Sequence, residues 1–322
     1  MTTYPDSVTS TVDIAFDGRV PEDSKREVRN SINAIAIRHS EENARRRELD
    51  AEDRALADVL RQPLLDQLRN DSRGADALRS AAERQHARAV GVGELPMASA
   101  RIPARDVSAT ALDYSLAATR DFEGFPTRFF QIPYDFSWFW HDLNGGPPRS
   151  RILTSETGRA ALDAHAGNTL GSDGSVFVNA HAGFGVVLRS DHRVDCMARS
   201  LRSSHDFAAA SAGLDADATV EAGCEMTVMR SGNLQAHAVD KRFRGRVSGS
   251  LFDPSEDYNY DNGGFGTGAV IEVRWTMEAD TQYELNVGAW VYAEAHQGIG
   301  GAGANSQIDA NITFMSLWQR PA

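Results

Sequence analysis

Val270-Ile-Glu-Val-Arg-Trp-Thr-Met277 and Tyr283-Glu-Leu-Asn-Val-Gly-Ala-Trp-Val-Tyr292, separated by Glu278-Ala-Asp-Thr-Gln282, decide the fold. Both runs alternate large apolar residues with polar or small ones, and both are rich in β-branched and aromatic side chains. Side chains of a strand point to opposite faces in turn, so this alternation marks strands with one buried face. The short polar connector reads as a turn, which predicts an antiparallel hairpin. Its inward column, Val273, Trp275 and Met277 with Tyr283, Leu285, Val287, Ala289 and Val291, is expected to help form the core.

The same alternation recurs in Phe130–Trp140, Ser175–Leu188, His192–Ala198, Thr219–Met229, Gln235–Val247 and Gln307–Trp318, with Gly, Asp, Asn and Ser between. Many strands with no helical pattern between them predict an antiparallel β-sandwich or jelly-roll-like domain over residues 93–322. Upstream the character changes. Residues 1–20 hold one alternating run, Thr11–Phe16, read as an extended arm or strand. Residues 21–92 form a helical segment. Between 25 and 90 there is one proline, one glycine and no Phe, Tyr or Trp, and Ala, Leu, Glu and Arg dominate. Asp23 or Ser24 is the expected cap, and Pro63 the expected break between about two helices. The class is therefore α+β, predominantly β, with a helical arm before a large β domain.

A coiled coil is one candidate for the arm. The column Val28, Ile35, Glu42, Leu49, Leu56, Pro63 is apolar at four of six positions. Its partner column, Ile32, His39, Arg46, Asp53, Leu60, Gln67, is apolar at only two. A sustained seam needs both, so packing on the protein's own domain or on neighbours fits better.

The chain has 322 residues, 33 basic against 45 acidic, and a net charge of −12. The first 100 residues carry 18 acids and 15 bases, so most of the surplus belongs to the β domain. With 41% hydrophobic and 24% charged residues the composition excludes bulk disorder. An acidic balance speaks against coating duplex nucleic acid, which needs phosphate neutralisation. No secretory signal and no apolar run near the roughly 20 residues of a spanning helix are visible, so cytoplasmic synthesis is expected, with release as part of an assembly an option. Of the basic residues only Lys25 and Lys241 are lysines, a bias that fits a bacterial high-GC genome. Cys196 and Cys224 are expected as two buried thiols.

Motifs for nucleophiles, P-loops and zinc fingers are absent. Gly298-Ile-Gly-Gly-Ala-Gly303 fits GxGxxG, but the segment after it reads as a strand, so it is expected as a β loop. Nine histidines occur with no i+2 or i+4 pair and are expected at surfaces or strand ends. Glu294 and His296 are the one closely spaced pair of candidate ligands. Asp257, Asn259 and Asp261 alternate as in a hard-cation loop, so calcium is the only ion suggested, and no other cofactor is expected. Tyr258 and Tyr260 of the same segment are candidate binding residues, since loops often carry recognition. Between Phe129 and Trp140 seven of twelve residues are aromatic. Tyr134, Phe136, Trp138 and Trp140 are expected on one face, as core, subunit interface, a sugar-stacking platform or a membrane-inserting edge, with Tyr134, Trp138 and Trp140 as binding candidates. Arg242, Arg244 and Arg246 are expected to share a salt-bridged face.

These features predict a non-enzymatic, self-assembling structural or binding protein. A helical arm would serve oligomerisation or docking, and a β head would serve assembly or recognition of a carbohydrate or protein receptor. Fibre heads as in phage, capsid-like shells and adhesins share this layout. The alternatives are a pore-forming toxin, the only reading that calls for a membrane, and a glycan-active enzyme using two carboxylates.

Overall fold

The computed structural model describes residues 8–9, 12–93, 113, 116–144, 150–167, 174–213, 215–249, 256–261, 269–298 and 301–322. Among the described residues two long helices, α1 (Glu22–Asn70) and α2 (Ser72–Gly93), precede most of fourteen strands. The short β1 (Val8–Thr9) and β2 (Asp13–Phe16) come first. Then follow β3 (Thr127–Phe130), β4 (Phe136–Leu143), β5 (Ser150–Thr154), β6 (Arg159–Gly167), β7 (Gly174–Leu188) and β8 (Val194–Ala212). After them run β9 (Asp217–Arg230), β10 (Asn233–Ser248), β11 (Glu256–Asp261), β12 (Ala269–Met277), β13 (Tyr283–Gln297) and β14 (Ala302–Pro321). All pairings are antiparallel, in two seven-stranded sheets: β1-β4-β7-β13-β9-β10 with β2 on β4, and β11-β8-β14-β6-β5 with β12 on β8 and β3 on β14.

The two inner faces form one core. The expected column Val273, Trp275, Met277, Tyr283, Leu285, Val287, Ala289 and Val291 is buried in it. The expected hairpin is not a hairpin. β12 pairs with β8 in the second sheet, while β13 pairs with β7 and β9 in the first. Glu278–Gln282 therefore carries the chain across the sandwich, with Asp280 at φ 53°. Alternation reports which residues face inward, and two strands on opposite sheets share that property. A true hairpin joins β9 to β10 through Ser231 and Gly232, at φ 47° and 79°. Two positive φ values in a two-residue loop suit the twist of the flanking strands. Cys196 and Cys224, on opposite sheets, are buried free thiols, and the segment after the GxGxxG match is β14.

The helix begins earlier than the caps suggest: Pro21 is the N-cap, and Glu22 and Asp23 lie in the first turn, where the dipole favours acids. It also runs through Pro63. Val59, whose carbonyl would accept the missing N–H, is exposed, so water can take the donor's place. The break falls at Asp71 instead, whose Oδ2 accepts from Gly74 N–H at 2.8 Å and so caps α2.

α1 lies across the outer face of the first sheet. Val28, Ile32, Ile35 and Ala36 bury against Phe136, Trp138, Trp140 and Met229. The aromatic run thus serves as a platform for the protein's own helix. Tyr134 parts from that face. It precedes β4, turns into the core between the sheets, and donates its hydroxyl to Ile312 O at 3.0 Å. Burial raises its pKa.

Candidate functional site

The docked face of α1 changes chemistry along its length. Ile32 and Ile35 are followed at helical spacing by His39 and then Arg46, which stay on the sheet side. The column that breaks the coiled-coil pattern is therefore the one that meets the sheet. Beneath it, β7, β9 and β13 present polar side chains on their outward positions, Asn179 and His181, Glu221 and Glu225, and Tyr292 and Glu294, all buried except at the pocket rim. One cross-strand row runs Trp140, His181, Trp290, Gly223, Lys241 through five neighbouring strands.

Three imidazoles converge on Glu225. His181 Nδ1 lies 2.8 Å from Oε1, His39 Nε2 is 3.1 Å from Oε2, and His237 Nε2 is 3.6 Å from Oε2. His181 is also stacked on Trp140, with ring centroids 4.1 Å apart and planes 13° from parallel, and its Nε2 is 3.2 Å from Asn179 Oδ1. Donor atoms of His39, His181 and Glu225 all lie within 4.8 Å of one another, a spacing that could hold a metal ion. Burial pushes the His181 pKa down to about 4 against the pull of Glu225. Burial would also lower His39, but the Glu225 carboxylate outweighs it and the net shift is upward. Burial alone would raise the Glu225 pKa, but the attraction of His39 and the hydrogen bonds of His181 and His237 overcome it and hold the carboxyl well below the usual range.

A second cluster adjoins the first. Glu221 receives Arg46 at 3.2 Å and Lys241 at 2.8 Å, with Arg244 also 3.2 Å away. The Arg46 guanidinium sits 4.1 Å over the Tyr292 ring, whose hydroxyl donates to Glu294 at 2.7 Å. Around these groups two adjoining hollows open between α1 and β9–β10. One, about 270 Å³, is lined by Arg46, Lys241, Glu42, Glu221, Asn43 and Trp290 among others. The other, about 210 Å³, runs toward Gly232 past Arg38, Thr227 and Asn233. His39 and His237 line both.

The expected binding residues sit elsewhere or act differently. Trp138 and Trp140 are 1% and 0% exposed, and Tyr134 3%, so none offers a free ring to a ligand; rings of this size are worth most when buried. Trp140 does border the site, as the surface on which His181 stacks. Tyr258 and Tyr260 are partly buried against the core, Tyr260 with its ring 5.1 Å from Phe243. The expected cation loop is instead strand β11, paired with β8. In a strand, residues 257, 259 and 261 are spread over about 13 Å and do not converge as ligands. Asn259 and Asp261 are exposed and Asp261 Oδ1 is 3.3 Å from His205; the Asp257 side chain and residues 253–255 and 262–268 lie outside the described residues. Glu294 and His296 bind different partners, Tyr292 and Ser175. A bulge between Lys241 and Phe243 splits the expected arginine face: Arg242 reaches Asp206, whereas Arg244 reaches Glu221 and Arg246 reaches Asp50 of α1. All three are salt-bridged, as expected.

Sequence reasoning missed His39, His181, His237 and Glu225, which come from four elements far apart in the chain. The one local signal was polar residues at outward positions of otherwise apolar strands. No protein-family model matches the chain, and no curated protein matches it. Among solved structures it is similar to a cyclase from Fischerella sp. TAU in complex with 4-(1H-indol-3-yl)butan-2-one, at 9% identity over 70% of this chain and 99% of that one, with a TM-score of 0.19. A CocE/NonD family hydrolase from Staphylococcus aureus is similar at 10% identity over 61% of this chain and 38% of that one, with a TM-score of 0.16.

Proposed function

We propose that the protein binds a short saccharide in the groove between α1 and the β9–β10 hairpin. The observation that carries this reading is the mixture of groups around Trp290. A sugar presents hydroxyls that both donate and accept, and a C–H face that stacks on an aromatic ring. The groove supplies donors in Arg46, Lys241 and Asn43, acceptors in Glu42 and Glu221, and a half-buried indole in Trp290. Two hollows meeting at His39 and His237 give it room for more than one ring. The test is titration of the full chain with a panel of oligosaccharides, read by tryptophan fluorescence and calorimetry. A member of the panel binds the native chain, and Trp290→Ala weakens it at least tenfold while leaving the melting temperature within a few degrees. Absence of binding across neutral, acidic and amino sugars removes the reading.

Self-assembly belongs to the same proposal and rests on a separate observation. Leu56, Leu60, Leu64 and Leu68 of α1 are exposed and repeat every four residues. Side chains at that spacing form a continuous ridge that fits the groove of a second, identical helix.

A further inference from the structure

We propose that His39, His181 and Glu225 bind one divalent transition-metal ion of the zinc class, with its fourth coordination position open to the pocket under α1.

The donor set comes first. Two neutral imidazoles and a carboxylate suit zinc and its neighbours, whereas calcium and magnesium prefer oxygen ligands. Three protein ligands with one position left open is the arrangement of zinc sites that bind small molecules. The spacing agrees. An ion about 2.0–2.2 Å from each donor in tetrahedral geometry places the donors roughly 3.3–3.6 Å apart. One donor atom from each residue lies within 4.8 Å of the others, and the Glu225 carboxylate reaches both rings, Oε1 at 2.8 Å from His181 and Oε2 at 3.1 Å from His39. Side-chain rotations of less than about an ångström per group bridge that difference.

The surroundings orient the ligands. His181 has an oxygen on each ring nitrogen, Glu225 Oε1 on Nδ1 and Asn179 Oδ1 on Nε2. A metal on Nδ1 lets Nε2–H donate to Asn179, and it turns Glu225 from a competing acceptor into a ligand. Metal-bound histidines commonly donate their second N–H to such a partner, which fixes the tautomer. Trp140 holds the ring plane from one side at 4.1 Å. The ligands come from α1, β7 and β9, so the ion would tie the arm to the sheet across which it lies. The open position faces the hollow that holds Lys241 and Trp290, where water or an oxygen of a bound molecule completes the set.

The inference does not need the saccharide reading, and its test keeps the two apart. The metal-free full chain is titrated with Co²⁺ and with Zn²⁺ in the absence of sugar. The expected result is one ion per chain, a visible Co²⁺ absorption of tetrahedral intensity that Zn²⁺ abolishes, and a higher melting temperature. His39 is only partly buried, at the rim shared by the two hollows, so His39→Ala is the variant chosen to keep the fold, checked by circular dichroism. It weakens binding at least tenfold and removes the thermal shift. Asn179→Ala, a positioning change, weakens it about tenfold. Absence of stoichiometric binding at about 0.1 mM metal, or undiminished binding by His39→Ala, overturns the proposal whatever the sugar titration gives.

Discussion

Three large rings on the outer face of the first sheet are each seated on a glycine of the next strand. Phe136 pairs directly with Gly185, Trp138 with Gly183, and Trp290 with Gly223. A Cβ added at Gly183 would lie 2.4 Å from Val287 O and 2.7 Å from the Trp138 ring, and one at Gly185 2.2 Å from Phe136. Backbone on one side and a buried indole on the other cannot both give way. Gly183→Ala is therefore expected to lose about 1–3 kcal/mol through overpacking, measured by denaturant unfolding. Gly18→Ala, where nothing lies within 4 Å, serves as the control and stays near neutral. An unchanged midpoint for Gly183→Ala would show that α1 shifts freely over the sheet. These glycines look like breaks in a strand pattern, and only the register reveals them as seats for Phe136 and Trp138. At this scale the sequence exposes the rings and hides what they rest on.

The contact between α1 and the sheet also contains a buried acid. Glu284 of β13 is 0% exposed and accepts hydrogen bonds from Ser31 of α1 and from Gln282, each at 2.8 Å. Burial raises its pKa, and those two hydrogen bonds only partly offset the shift. With the folded pKa above the unfolded one, the contribution of Glu284 to stability is fully present below the unfolded pKa of about 4.3. It is lost as pH rises through the folded value. Glu284→Gln removes the charge, still accepts from Gln282 on its amide oxygen, and turns its N–H2 toward the Ser31 hydroxyl, which then accepts. It is expected to melt higher than the native chain at pH 7–8, with the difference closing toward about pH 4. A constant difference across that range would mean that the fold leaves the Glu284 pKa where it is in the unfolded chain. Elements like these were largely legible: the run Val270–Met277 matches β12 to within one residue, and Tyr283–Tyr292 opens where β13 opens. The second half of β8, Arg199–Ala212, and β5–β6 were not. Their alanines and serines give little contrast between faces, although Ala208, Ala210 and Ala212 are buried in the core. The arm was legible as helix, but not its docking, because His39 and Arg46 read as faults in a seam rather than as residues aimed at a polar sheet.

At the scale of the whole molecule α1 does two unlike things. Its first half is held by the sheet, through Val28, Ile32 and Ile35 and then through His39, Arg46 and Asp50. Its second half leaves Leu49, Leu56, Val59, Leu60, Leu64 and Leu68 between 38% and 73% exposed, along about 30 Å of helix. Scattered leucines on a surface need no explanation, but a contiguous ridge does. The Leu56–Leu68 ridge has four-residue spacing, which favours two helices crossing at about 50°, rather than the near-parallel crossing of about 20° in a coiled coil. The failed second heptad column points the same way. A two-fold axis through such a crossing gives each ridge the other's groove, so one surface serves both copies. The full chain is therefore expected to behave as a dimer at micromolar concentration in sedimentation and light scattering. Leu56→Arg with Leu60→Arg, both on exposed positions, is expected to yield a monomer with unchanged circular dichroism, because the substitutions leave the docked half of α1 untouched. A monomeric native chain at tens of micromolar would overturn the dimer, and a double variant that still dimerises would move the association to another surface. The site beneath His39 lies on the docked half, so metal and sugar titrations of the monomeric variant should match those of the native chain, and a loss of either would tie the site to the assembly.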